Sequence, residues 1–389
     1  MNLVAPRFLA WLGAPAKFAM ALPDAQPSQS QMYCPRGVYL DDRYLIVADS
    51  GNHRVLIWKL ANGLPESHSD ADVVLGQPDF LSEGPKLFHL PTGVTMVGDC
   101  LLVADAWHHR ILGWNKLPEN GTEPDFVIGQ SNFTEVQPNR GIKEPTAETL
   151  YWPYGLAYID GKLYVADTGN RRVVYWTGLP RDGRQAEGLL GQDNFASNEE
   201  NRGAIGPNSF RWAHDIAGSE RHLFVADAGN HRVLGWRWSN LQGENSPADL
   251  LLGQTAFDRA EEYPYRPQSA QVMRFPYSIS FCAHSSEQGP GLEAGGVLAV
   301  ADTANNRVLI FDQIPSSGLG AAAQRVIGQP DFKANGENNW KAVTENSLCW
   351  PYGIHLHRPE RPTPFQVADG AKILAIADSG NNRVMLWEI

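Results

Sequence analysis

The dodecapeptide VADTGNRRVVYW, residues 165–176, decides the fold, because it returns five more times along the chain. The other copies are VADSGNHRVLIW (47–58), VADAWHHRILGW (103–114), VADAGNHRVLGW (225–236), VADTANNRVLIF (300–311) and IADSGNNRVMLW (376–387). Each keeps an aspartate and an arginine five positions apart: Asp49 and Arg54, Asp105 and Arg110, Asp167 and Arg172, Asp227 and Arg232, Asp302 and Arg307, Asp378 and Arg383. Apolar residues flank a short Ser/Thr/Ala-Gly-Asn turn, so the phrase reads as strand, tight turn, strand. An aspartate that accepts from turn amides and an arginine that holds nearby carbonyls serve such a hairpin, which assigns these pairs to structure rather than to chemistry.

Two further phrases share the repeat. Leu/Ile-Gly-Gln follows at residues 75–77, 128–130, 190–192, 252–254 and 327–329. A Pro-Tyr-Gly-like phrase precedes, as Pro35-Arg-Gly, Pro91-Thr-Gly, Pro153-Tyr-Gly, Ala213-His-Asp, Pro276-Tyr-Ser and Pro351-Tyr-Gly. One unit therefore holds four short strands: a after the Pro-Tyr-Gly phrase, b ending at the aspartate, c after the arginine, and d ending at Gly-Gln. Four strands per repeat predict a β-propeller blade, and six units predict an all-β, six-bladed propeller spanning residues 1–389 as one domain. The repeat aspartates lie 56 to 76 residues apart, longer than the roughly 40 to 50 of familiar propeller repeats. Most of the surplus falls between strand d and the next strand a.

The Asp-x-Gly-Asn-His-Arg-Val phrase resembles the NHL repeat, and the likeness covers essentially the whole chain. The histidine is clearest at His53, His109 and His231, with Arg171, Asn306 and Asn382 in the other copies. The resemblance implies a propeller, but it leaves function open, because the family includes RNA-binding modules, ubiquitin-ligase substrate readers, amidating lyases and bacterial proteins without a known role. The last copy ends at Ile389 with no Gly-Gln strand behind it, while Phe8-Leu-Ala-Trp-Leu-Gly13 resembles Arg325-Val-Ile-Gly328. Residues 7–13 are therefore expected to form the outer strand of blade six and close the ring, leaving no open sheet edge.

Composition fits a globular chain: 43% apolar and 19% charged, with 37 glycines and 27 prolines. No apolar run approaches the roughly 20 residues of a membrane-spanning helix. Residues 1–22 could pass for a secretory signal, which would make the protein secreted or periplasmic, but Lys17 interrupts the stretch and cleavage would remove the closing strand. A cytoplasmic protein is expected, and four cysteines without paired spacing agree with a reducing compartment. The net charge of −11 argues against nucleic-acid binding. The long d–a loops (81–90, 134–151, 196–211, 258–274 and 333–349) are no exception, with ten Lys or Arg against eleven Asp or Glu.

By analogy with propellers in general, the d–a loops and b–c turns open on one face around the central channel. Arg36, Thr92, Tyr154, His214, Tyr277 and Tyr352 then ring the channel mouth, one per blade. Behind them stand Cys34, Leu90, Trp152, Trp212, Phe275 and Trp350, of which the aromatics are read as wedges between blades. Two blades break the repeat: blade two carries Trp107-His108 in place of Gly-Asn, and blade four carries Ala213-His214-Asp215 in place of Pro-Tyr-Gly. Arg36, Trp107, His108, Tyr154, His214, Asp215, Tyr277 and Tyr352 are accordingly the candidate binding residues. Cys34 and Cys349 open neighbouring blades, so their thiols can approach each other.

Strand a supplies one carboxylate, Asp215, too few for the oxygen shell of a channel calcium ion. The chain has neither a nucleophile elbow nor a phosphate-binding glycine loop. The expectation is a non-enzymatic platform without a cofactor, presenting its loop-bearing face to a protein partner, with a small-molecule ligand as a further option. The alternative is a metal-dependent lyase or hydrolase with a divalent ion on His108, His214 and Asp215. RNA binding would need local basicity that the loops lack.

Overall fold

The computed structural model describes residues 6–13, 27–219, 221–241, 243, 245–262, 267–284, 295–314, 319–360 and 362–389. They form six antiparallel sheets of four strands each. Strands a to d are Gly37–Leu40, Tyr44–Asp49, Arg54–Lys59 and Val73–Leu75 in blade one, and Val94–Val97, Cys100–Asp105, Arg110–Trp114 and Phe126–Ile128 in blade two. Blade three holds Pro153–Ile159, Lys162–Asp167, Arg172–Thr177 and Gly188–Leu190; blade four holds Ala213–Gly218, His222–Asp227, Arg232–Arg237 and Leu250–Leu252. Blade five comprises Pro276–Ala283, Gly296–Asp302, Arg307–Phe311 and Arg325–Ile327. Blade six takes a, b and c from Pro351–His357, Ile373–Asp378 and Arg383–Glu388, and its outer strand from Arg7–Gly13 at the other end of the chain.

The apolar runs of strands b and c are buried on both faces, because each blade packs against two neighbours. Six separate cores result, one at each blade junction. Phe88 and Trp114 fill the core between blades one and two, for example, and Phe210 and Trp236 the core between blades three and four. The residue acting as wedge lies two positions ahead of the one expected. Met32, Phe88, Leu150, Phe210, Met273 and Leu348 each enter a different junction core. Trp212 and Trp350, read as wedges from the sequence, are exposed on the surface. Ahead of strand a in the five blades other than blade four the corresponding residue is left-handed, as Trp350 is at φ 51°.

The closing strand is held by packing, charge and backbone fit. It pairs antiparallel with strand c of blade six from Arg7 opposite Glu388 to Gly13 opposite Arg383. Leu12 is fully buried, Arg7 Nε donates to Glu388 at 2.6 Å, and the Arg383 guanidinium lies 4.1 Å above the Trp11 ring. Gly13 has φ +113°, and a β-carbon there would stand 2.6 Å from the Asn382 carbonyl, so only glycine fits. The signal-like stretch 1–22 otherwise lies outside the described residues. Among the described residues no helix is long and apolar enough to cross a membrane.

Candidate functional site: the channel mouth and its rim

Every b–c turn is a one-turn 3-10 segment closed by a residue in the left-handed region: His53, His109, Arg171, His231, Asn306 and Asn382, with φ between 54° and 56°. Behind it sits the repeat ion pair, with aspartate and arginine both buried. Arg172 Nε donates to Asp167 Oδ2 at 2.8 Å, and its remaining N–H groups donate to the carbonyls of Thr146, Thr149 and Phe195. Asp167 Oδ1 accepts the Tyr151 N–H at 2.7 Å. The Nε–carboxylate bond recurs at Arg54, Arg110, Arg232, Arg307 and Arg383, and each guanidinium also donates to a carbonyl of the d–a loop, pinning that loop to the hairpin.

The left-handed residue performs a second task that the repeat alone does not reveal. His53 Nδ1 accepts the backbone N–H of Leu90 in the next blade at 3.1 Å, His109 accepts that of Trp152 at 3.2 Å, and His231 that of Phe275 at 3.2 Å. Asn306 and Asn382 do the same through Oδ1, for Trp350 and Cys34, both at 2.9 Å. Each recipient is itself left-handed, with φ between 48° and 51°. Five junctions are latched in this way.

At the sixth junction Arg171 has only donors to offer. Its guanidinium turns to the Asn198 carbonyl, at 3.0 Å. Trp212, the residue it faces across the junction, lies outside the left-handed region and gives its N–H to Asp227 of its own blade at 3.2 Å. That blade is the one whose Pro-Tyr-Gly phrase has become Ala213-His214-Asp215. The departure in blade four and the arginine in blade three thus belong to one altered junction, where Thr168 Oγ1 still donates to the Ala213 carbonyl at 2.5 Å.

Strand a of each blade lines the channel, and at its mouth the structure brings the ring together. Tyr154 packs on His214 with ring centres 4.3 Å apart, His214 on Tyr277 at 4.3 Å, and Tyr277 on Tyr352 at 4.6 Å. The Arg36 guanidinium lies 5.0 Å above Tyr352. Burial raises the Tyr154 phenol, and the Arg36 guanidinium and the Trp107 indole stand near enough to oppose that rise. Arg36 thus lies between Tyr352 of blade six and Tyr154 of blade three, beside the small Thr92 of blade two. Below it lies a cavity of about 380 Å³ lined by strand a of all six blades.

His214 is buried, and its Nδ1 lies 2.9 Å from the Tyr277 carbonyl, so Nδ1 carries the proton. Burial, with Arg36 adding to it, pushes its pKa down to about 3, so the imidazole is neutral. Asp215 keeps some surface on the channel but is enclosed by neighbouring strands, and burial raises its carboxyl to about 6. Ser278 Oγ donates to it at 2.6 Å, and the N–H groups of Ile279 and Ile216 donate at 3.1 and 2.9 Å. Ser278 Oγ in turn accepts the Ile354 N–H at 3.1 Å, so Asp215 ties strand a of blades four, five and six together.

His108 stands elsewhere, on the rim. Its Nδ1 meets Asp105 Oδ2 at 2.9 Å, filling the place that an asparagine takes in the other turns. It belongs to a cluster not foreseen from the sequence, with His89 5.4 Å away and His53 5.2 Å beyond, and Trp107 bridging His89 to Trp152. Among the described residues no three His, Cys, Asp or Glu side chains converge as a metal site. Cys34 and Cys349 are free thiols, both raised by burial, Cys349 to about 12.

A ring of four-stranded blades closed by strand exchange between the chain ends defines the chain as a β-propeller. The NHL repeat model matches residues 32–58, and the other five copies repeat the same phrase, which supports the NHL-repeat β-propeller family. The human NHL repeat-containing protein 2 is 25% identical over 281 residues, which cover 64% of this chain and 36% of that protein. The chain thus spans little more than a third of this relative. Among solved structures, an auxiliary nutrient binding protein from Bacteroides thetaiotaomicron is similar over 98% of this chain and 75% of its own, with a TM-score of 0.52 and 11% identity. At that identity the likeness speaks for the fold alone.

Proposed function

We propose that the protein is a non-enzymatic interaction platform whose loop-bearing face docks a protein partner. One observation carries this reading. Of the ten exposed large apolar side chains among the described residues, eight lie on d–a loops or b–c turns: Tyr33, Leu81, Trp107, Phe133, Ile142, Trp212, Trp340 and Trp350. Only Tyr158 and Leu319 point elsewhere. Exposed tryptophan concentrated on one face of a rigid scaffold, among mixed charges, is the composition of a protein-binding surface. The acidic total charge disfavours a polyanionic partner. Free cysteines support placing this work in the cytoplasm.

A photo-activatable residue at Trp340 or Trp212 is expected to cross-link the partner in cells. The same residue at Tyr158 or Leu319 is expected to give none, and the reverse pattern would move the working surface to the other face.

A second reading, metal-assisted lyase or hydrolase chemistry in the channel, draws on the raised carboxyl of Asp215 beside the cavity. Elemental analysis of the purified protein separates the two. A stoichiometric divalent metal lost on Asp215→Asn would favour chemistry, and its absence the platform.

A further inference from the structure

Arg36 is electrostatically unlike the arginines of the repeat. Each of those six meets an aspartate carboxylate at 2.6 to 2.9 Å. Arg36 stands at the channel mouth over the face of Tyr352 and near the Tyr154 phenol, and among the described residues no Asp or Glu pairs with it. A guanidinium offers five N–H donors in a planar fork, so much of its binding capacity remains unused. His214, uncharged and fixed by the Tyr277 carbonyl, neither competes with Arg36 for an anion nor repels one.

The cavity that Arg36 lines is amphipathic. Val94, Met96, Leu156, Ile279 and Phe281 pack mainly into the blade junctions and give the cavity apolar edges among its polar lining, and at about 380 Å³ it has the volume of a small-ligand site. A single cation at one end and a partly apolar wall beyond it suit a ligand with one negative charge and a small apolar body. A phosphate dianion fits poorly, since the lining supplies no lysine and no second arginine, and Asp215 shares the wall.

We propose that the central channel binds a small-molecule monocarboxylate, its carboxylate on Arg36 and its apolar body along the walls of strands a. The inference is independent of the platform reading, which rests on Trp340 and its neighbours outside the channel.

Ligand-observed NMR on the purified full chain, with 3-phenylpropionate and the uncharged 3-phenylpropionamide as probes, tests it. The acid is expected to bind saturably and at least about tenfold more tightly than the amide, as loss of a charge-assisted pair implies. That preference is expected to vanish in Arg36→Gln. Equal binding of acid and amide, no saturation by either at millimolar concentration, or tighter binding of inorganic phosphate than of the acid would overturn the proposal. These comparisons use the wild-type protein, so they decide the matter even if Arg36→Gln does not fold.

Discussion

His109 of blade two accepts the backbone N–H of Trp152 in blade three through Nδ1, at 3.2 Å, and both residues hold left-handed backbone. The bond needs a neutral imidazole with its proton on Nε2, because imidazolium has no lone pair to offer. Asparagine does the same work natively at Asn306 and Asn382. His109→Asn is therefore expected to cost little, whereas His109→Leu orphans a half-buried N–H and is expected to cost about 1 to 3 kcal/mol. Equal losses for the two variants in chemical denaturation would remove the latch from the list of stabilising contacts.

Acid should open that latch. Burial, with the neighbouring His108 adding to it, lowers the His109 pKa from 6.5 to about 4. A lowered folded-state value means that the stabilisation is complete above 6.5 and is lost as pH falls through the window down to about 4. Asp215 works in the opposite sense: raised from 3.8 to about 6, its contribution is full at low pH and is lost as pH rises through that range. Comparing wild type with His109→Asn cancels the Asp215 term, since both proteins share it. The wild-type melting temperature is expected to fall more steeply than that of the variant between about pH 7 and pH 5. Parallel curves would show that His109 does not titrate with folding.

The buried ion pairs give the largest single-site effect. Arg172→Ala leaves Asp167 buried with its charge unpaired and abandons three loop carbonyls. A loss of about 3 to 5 kcal/mol in unfolding free energy is expected. A wild-type midpoint together with lost binding would instead assign the pair to function.

Removing residues 1–13 strips the outer strand from Arg383–Glu388 and exposes the apolar surface that Ala10 and Leu12 cover. An unpaired strand edge of this kind promotes association. Light scattering is expected to show aggregation, together with a lowered melting temperature. A monodisperse truncated protein with unchanged melting temperature would contradict closure by this strand.

The ring of blades could be read from the sequence because a propeller repeats one supersecondary unit, and six registered copies of a phrase fix both strand order and ring size. Arg36, Tyr154, His214, Tyr277 and Tyr352 gather at one mouth because each holds the same position of the phrase that opens strand a. The latch was not legible: whether His53 accepts or donates depends on the Leu90 backbone, which lies in another blade. The sequence places Arg171 and Ala213-His214-Asp215 in different copies, and only the folded junction joins them. His108 was grouped with His214 and Asp215 on facial grounds alone, while its partner, Asp105, lies within its own turn.

The platform reading is tested most directly by comparing two double variants of matched chemistry on opposite faces. Trp107→Ser with Trp340→Ser removes apolar surface from the loop-bearing face, and Tyr158→Ser with Leu319→Ser removes it elsewhere. With both variants checked for unchanged unfolding midpoints, affinity of the partner identified by cross-linking is measured by calorimetry. The first variant is expected to weaken binding by about 2 kcal/mol or more, as loss of tryptophan anchors does, and the second to leave it unchanged. Undiminished affinity in the first variant together with a loss in the second would contradict the assignment of the working surface.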